Sequence, residues 1–146
     1  MSWVAALALA GLVAMPVASA GAAGAAPDLA GRLAGNTLSA VAFAARDASR
    51  GGGELDRLMF QAYLQPDGNA LIRLWDTRLA AYAPAAWRRW SLSGSVLCLE
   101  LPRVAPPRIC ADVHVWGPRI AGVGAAPYAM IDGDLKPGNT IAAPAR

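Results

Sequence analysis

The only two cysteines, Cys98 and Cys110, lie in the stretch SVLCLELPRVAPPRICADVHVW. An antiparallel hairpin that sets them face to face centres its turn on Val104, in a loop holding Pro102, Pro106 and Pro107, where prolines cost no ladder hydrogen bonds. Glu100 then falls opposite Arg108, a favourable cross-strand pair. In the same register Leu97, Leu99, Leu101, Ile109, Ala111, Val113 and Val115 share one face. Cys98, Glu100, Arg108, Cys110, Asp112 and His114 share the other. One alignment sorts apolar from polar along both strands, as a half-buried antiparallel pair requires. A Cys98–Cys110 disulfide on the outer face is therefore expected, stapling a proline-rich loop. The competing chemistry is a metal held by the two thiolates with His114 and Asp112, but the C-x11-C-x3-H spacing matches no standard zinc pattern.

A disulfide presupposes an oxidising compartment, and the start of the chain agrees. MSWVAALALAGLVAMPVASA has no charged side chain; Pro16 and the small residues Ala18-Ser19-Ala20 end it in the form of a signal-peptidase site. The n-region lacks Lys and Arg, a departure from the usual pattern. The run is too short and too rich in Ala to favour a permanent span, retained anchorage being the alternative. The expected organisation is a signal peptide over 1–20, a flexible Gly/Ala-rich N-terminus over 21–32 and one β domain over 33–146. The expected location is periplasmic or secreted, with no stable membrane span once the leader is removed. Net charge is +3, carried by twelve Arg and one Lys. The arginines are scattered rather than clustered, so nucleic acid is not an expected partner.

The remaining segments read as a meander. LMFQAYLQPDGNALIRLWDT sets Pro66-Asp67-Gly68 between two apolar runs, the signature of a short hairpin closed by a bulge. Pairing Gln65 with Asn69 collects Phe60, Ala62, Leu64, Ile72 and Leu74 on one face and Met59, Gln61, Tyr63, Arg73 and Trp75 on the other. Leu55, Leu58, Met59 and Ala62 also fall at helical spacing, but the turn and partner strand that follow favour a strand from Met59. A second hairpin turns near Ser93-Gly94. A two-residue turn faces Arg88, Trp90 and Leu92 inward with Leu97; a three-residue turn faces Trp87, Arg89 and Ser91 inward instead. Either way one Arg lies on the interior side, where it is expected to snorkel to water at a barrel mouth.

NTLSAVAFAA (36–45) is the first strand, followed by the flexible linker SRGGG, and RIAGVG and PYAMIDGDL supply two more strands, with Asp132-Gly133 marking a turn. The fold class is all-β: a small antiparallel meander of seven or eight strands, closed as a lipocalin-like barrel or folded as a sandwich. Closure would bring Gly35-Asn36-Thr37 and Gly138-Asn139-Thr140 together at the seam. Their neighbours do not correspond, so they are read as turn and strand-start chemistry rather than a repeat or a site.

Little in the chain supports catalysis. His114 is the only histidine and falls on the outer face, SLSGS is not a nucleophile elbow, and no phosphate-binding or zinc-protease motif occurs. Asp132-x-Asp134 is too small a cluster for calcium. No cofactor is expected. Two non-enzymatic readings remain. In one, the interior holds a small apolar or amphipathic ligand, with Phe60, Leu74, Arg88, Trp90, Leu97 and Leu99 as candidate lining. In the other, the interior is filled by its own side chains and an outer surface engages an envelope protein, with Tyr63, Trp75, Arg89 and Trp116, or the Pro102–Pro107 loop, as candidate contacts.

Gly35, Asn36 and Thr37, then Asp67-Gly68, Trp90, Cys98, Cys110, Asp132-Gly133 and Gly138-Asn139 follow one another in an order that resembles families of small exported proteobacterial domains of unknown function. The resemblance covers residues 33–140 and implies a periplasmic domain without assigning an activity. The stretch AYAPAAW departs from it, lacking the Gly or Asp expected shortly before the Trp strand. The meander alone is similar to lipocalin-like barrels, an analogy of fold.

Overall fold

The computed structural model describes residues 28–44, 56–104, 107–124 and 128–141. The expected leader, most of the Gly/Ala-rich stretch and the SRGGG linker lie outside them. A short helix, α1 (Leu29–Leu33), precedes β1 (Asn36–Ala44), β2 (Asp56–Leu64), β3 (Asn69–Asp76), β4 (Ala81–Tyr82), β5 (Ala86–Ser93), β6 (Val96–Glu100), β7 (Arg108–Trp116), β8 (Arg119–Gly124) and β9 (Tyr128–Pro137). All pairings are antiparallel; apart from β4 each strand lies beside the next, β3 pairing directly with β5, and β1 also pairs with β9. Eight strands thus close a barrel, and the two-residue β4 is a spur on the end of β3. A sandwich is excluded by that closure.

The two registers derived from side-chain alternation are the registers of the molecule. Cys98 pairs with Cys110 and Glu100 with Arg108; Phe60 pairs with Leu74 and Leu64 with Ala70. In the β2–β3 turn Gly68 takes φ 83°, the left-handed position a side chain disfavours, and its N–H reaches Gln65 O at 3.1 Å. The β5–β6 turn falls one residue later than expected, at Gly94-Ser95, because Ser93 still pairs with Val96. It remains a two-residue turn, so Trp90 and Leu92 face inward with Leu97 and Leu99.

Two local readings are corrected. Asp132-Gly133 is no turn: β9 runs straight through it, with Asp132 opposite Val41 and Gly133 opposite Ala40. Glycine serves there by lacking a side chain. A Cβ on Gly133 would stand 2.6 Å from Ala40 Cβ and would meet Ser39 O, and one on Gly122 of the adjoining strand would stand 2.7 Å from Asp112 O. Both mark close backbone approach within the curved wall. The folded unit also begins before Leu33. Asp28 caps α1 by accepting from Ala30 N at 3.1 Å, and Leu33 is buried in the core. Arg32 donates to Val115 O and Gly117 O, each at 2.8 Å, fastening the helix across the barrel end to the β7–β8 turn.

The inward faces form one apolar core of Leu, Ile, Val, Ala, Phe60 and Trp90. The turns of β2–β3, β5–β6 and β7–β8, α1 and residues 138–141 occupy the end where β1 starts, called here the lower end. β1, β3, β6 and β8 end at the opposite, upper end. At the lower end the two Gly-Asn-Thr stretches meet. Thr37, fully buried, donates from Oγ1 to Gly138 O at 2.7 Å and accepts from Thr140 N at 3.0 Å, while Gly138 N reaches Asn36 Oδ1 at 3.3 Å. The shared tripeptide is the clasp of the closing seam.

Candidate functional site

The six residues expected to line the interior lie on inward-facing positions. Phe60, Leu97 and Leu99 are fully buried, Trp90 is 9% exposed, Leu74 is half-buried and packed against the core, and Arg88 is exposed. Trp90 ties the wall to the lower turn: its indole N–H donates to Gln65 O at 2.7 Å, and its backbone N–H to Gly68 O at 2.9 Å. Arg88 lies two residues beyond the last β5–β6 pair and folds back to donate to Trp87 O, which satisfies the guanidinium at the rim instead of inside. Small side chains dominate part of the wall. Ala40 and Ala42 on β1, Ala62 on β2, Ala70 on β3 and Ala111 on β7 face inward, beside Gly122 and Gly133.

On the outer face Cys98 and Cys110 form the disulfide, with Cα atoms 4.1 Å apart, so neither thiol remains to ligate a metal or attack a substrate. Arg89, Trp90, Ser91, Cys98, Glu100 and Arg108 surround a hollow of about 210 Å³ beside it. Arg108 crosses β6 toward Ser91 Oγ at 3.5 Å. His114 is exposed opposite Ala121. Asp132 and Asp134 are clasped by Arg119 from β8, at 2.7 and 3.5 Å.

The candidate outer contacts do not make one patch. Tyr63, Trp75 and Arg89 lie on the adjacent strands β2, β3 and β5, whereas Trp116 stands apart at the β7–β8 turn. Trp75 meets Tyr82 edge-on, centroids 5.1 Å apart, and Arg73 stacks 4.6 Å from the Tyr82 ring while two of its N–H groups bind Gln61 Oε1. The spur β4 carries Tyr82 into this cluster by pairing it with Trp75. Arg89 binds Asn69 Oδ1 at 3.0 Å. The neighbouring Asp67 accepts from the N–H of Asn69 and from its side-chain amide, and these bonds, with a smaller contribution from the Arg89 charge, hold its carboxyl below the usual value of 3.8.

At the upper end a cleft of about 280 Å³ opens between the β3–β5 connection and the β6–β7 connection, lined by Leu74, Trp75, Asp76, Thr77, Arg78, Ala83 and Arg103. Leu74 joins it to the barrel core. Arg78 was not marked by any pattern in the sequence, and Arg103 only as part of the Pro102–Pro107 loop. They stand 25 residues apart in separate loops, which the pairing of β5 with β6 sets side by side at the upper end. At the lower end a hollow of about 340 Å³ beside the seam is lined by Arg32, Asn36, Gly117, Pro118, Leu135, Lys136 and Pro137. Arg32 and Asn36 are already spent there on backbone carbonyls.

No family model, curated protein or solved structure matches the chain.

Proposed function

We propose that this chain is an exported binding module that takes a small apolar or amphipathic molecule into its barrel and performs no chemistry on it. The observation that carries this reading is the closed eight-stranded wall whose inward faces are apolar and partly built of Ala and Gly. Eight strands are the size at which such a barrel is either filled by its own side chains or holds one small ligand. The short alanine side chains on the wall favour the second. The disulfide supports an oxidising compartment, and no helix among the described residues is long and apolar enough to cross a membrane. Membership of the exported family suggested by the Gly-Asn-Thr, Pro-Asp-Gly and cysteine pattern belongs to the same proposal.

A second reading, protein–protein interaction in the envelope around a filled core, is favoured by one observation. Phe43, Met130 and Val123 are consecutive cross-strand neighbours on the outer face, with Val41 and Met59 in an adjacent row; Val123 is 72% exposed and Met130 44%. Native mass spectrometry of the oxidised protein, as isolated and after incubation with dodecanol, separates the two. A one-to-one apolar adduct is expected. Failure to carry or take up any such molecule would overturn the ligand-binding reading and leave the outer surface as the working part.

A further inference from the structure

We infer that the upper cleft is the headgroup site for the molecule held by the barrel, and that this molecule is an amphiphile with an anionic head, a carboxylate or a phosphate. The inference rests on the ligand-binding reading and extends it to a named site and ligand class.

Arg78 and Arg103 line one small cleft from separate loops, with Thr77 also in the lining. The one acidic residue of the lining, Asp76, is committed to its own loop: Oδ1 accepts from Arg78 N at 2.8 Å and from Leu79 N at 3.3 Å. Guanidinium forks match the geometry of carboxylate and phosphate oxygens. The floor of the cleft includes Leu74, whose side chain also packs against the barrel core, so a head held by the arginines has its tail directed to the apolar interior.

The backbone points to the same place. Among the described residues only Ala80 and Arg103 combine a side chain with positive φ, at 48° and 60°. One lies in each of the two connections that form the cleft, although the five positive-φ glycines among the described residues show that the chain uses glycine for this geometry elsewhere. Strain of this kind persists where the surrounding structure holds a side chain in a required place. For Arg103 a glycine would relieve the strain but lose the guanidinium.

The test compares laurate with dodecanol, which share a tail and differ in head charge, in titrations below their aggregation limits followed by tryptophan fluorescence. Laurate is expected to bind at least about tenfold more tightly, the ratio supplied by one charge-assisted pair. Arg78→Gln/Arg103→Gln is expected to bring the two affinities within about twofold while dodecanol binding is kept. Arg89→Gln/Lys136→Gln, which removes equal charge outside the cleft, is expected to preserve the preference. Equal affinities in the unaltered protein, or a preference that survives in the cleft variant, would overturn the headgroup site and leave the barrel reading standing. Uptake of neither molecule would overturn both.

Discussion

Replacing Gly133 with Ala tests the closing seam at its tightest point. Gly133 is not at positive φ, so the substitution carries no conformational penalty of the left-handed kind. Its cost is steric. The added Cβ would lie 2.6 Å from Ala40 Cβ, 2.8 Å from Ala40 Cα and closer still to Ser39 O, against roughly 3.5–4.0 Å for carbon atoms at rest. Backbone atoms supply two of those three contacts, so no rotamer change relieves them, and β1 and β9 must separate by about 1 Å. Overpacking of this kind costs roughly 1–3 kcal/mol, and the rigid neighbours place Gly133→Ala toward the upper half. At about 4–8 °C per kcal/mol for a domain of this size, the thermal midpoint falls by about 10–20 °C. The assay is thermal and urea unfolding of four proteins: unaltered, Gly133→Ala, Ala40→Gly and the double variant. Removing the Ala40 methyl relieves one of the three contacts, so the cycle should show a favourable coupling of about 1 kcal/mol. A Gly133→Ala protein within about 0.5 kcal/mol of the original, well below the overpacking range, or a loss untouched by Ala40→Gly, would refute the close-approach account.

Three further outcomes follow from particular residues. Cys98→Ser/Cys110→Ser should lose about 3 kcal/mol by the chain-entropy model, read as a lower urea midpoint that reductant reproduces in the unaltered protein alone. Thr37→Val removes the donor to Gly138 O and the acceptor for Thr140 N from a buried site; a loss of roughly 1–3 kcal/mol is expected, with faster hydrogen exchange at Thr140. Asp67 has a folded pKa below its ordinary 3.8, so its contribution is fully present above that value and fades as pH falls through the lower folded one. The stability gap between the unaltered protein and Asp67→Asn should accordingly be constant from pH 7 to about 5 and close below pH 4; a gap that widens on acidification would reverse the sign of the argument.

The parts of the fold that could be read in the sequence are those governed by near neighbours. Cys98 and Cys110 lie in one hairpin, and alternation on both arms leaves a single register that buries the leucines, so the pairing of Leu97 with Ala111 or Leu99 with Ile109 follows from a few dozen residues. Pro66-Asp67-Gly68 is equally local. The misread segments are those whose meaning lies across the sheet. Asp132-Gly133 has the composition of a turn, and only Ala40, more than ninety residues earlier, makes Gly133 a strand residue. Leu29–Leu33, in a Gly/Ala-rich stretch, becomes helical because Leu33 has a barrel end to close and Arg32 has the Val115 and Gly117 carbonyls to bind. Of the candidate site, the inward positions were visible from period-two alternation, which distinguishes one face of a strand from the other but not the angular position of that strand around a barrel. That is why Tyr63, Trp75 and Trp116 could be assigned to an outer surface, with the face of Arg89 left open between two possible turns, yet the four could not be resolved into separate regions.

By itself, then, the sequence determined an all-β chain, its two best hairpins, the cysteine pair and the sorting of apolar from polar faces, since each depends on alternation and on turn residues within a short stretch. Tertiary structure alone decided the closure of β1 on β9, the clasp at Thr37, the glycines of the tight wall and the placing of Arg78 and Arg103 on one cleft. Those depend on contacts between residues far apart in the chain, and the backbone's curvature settles which of them become neighbours.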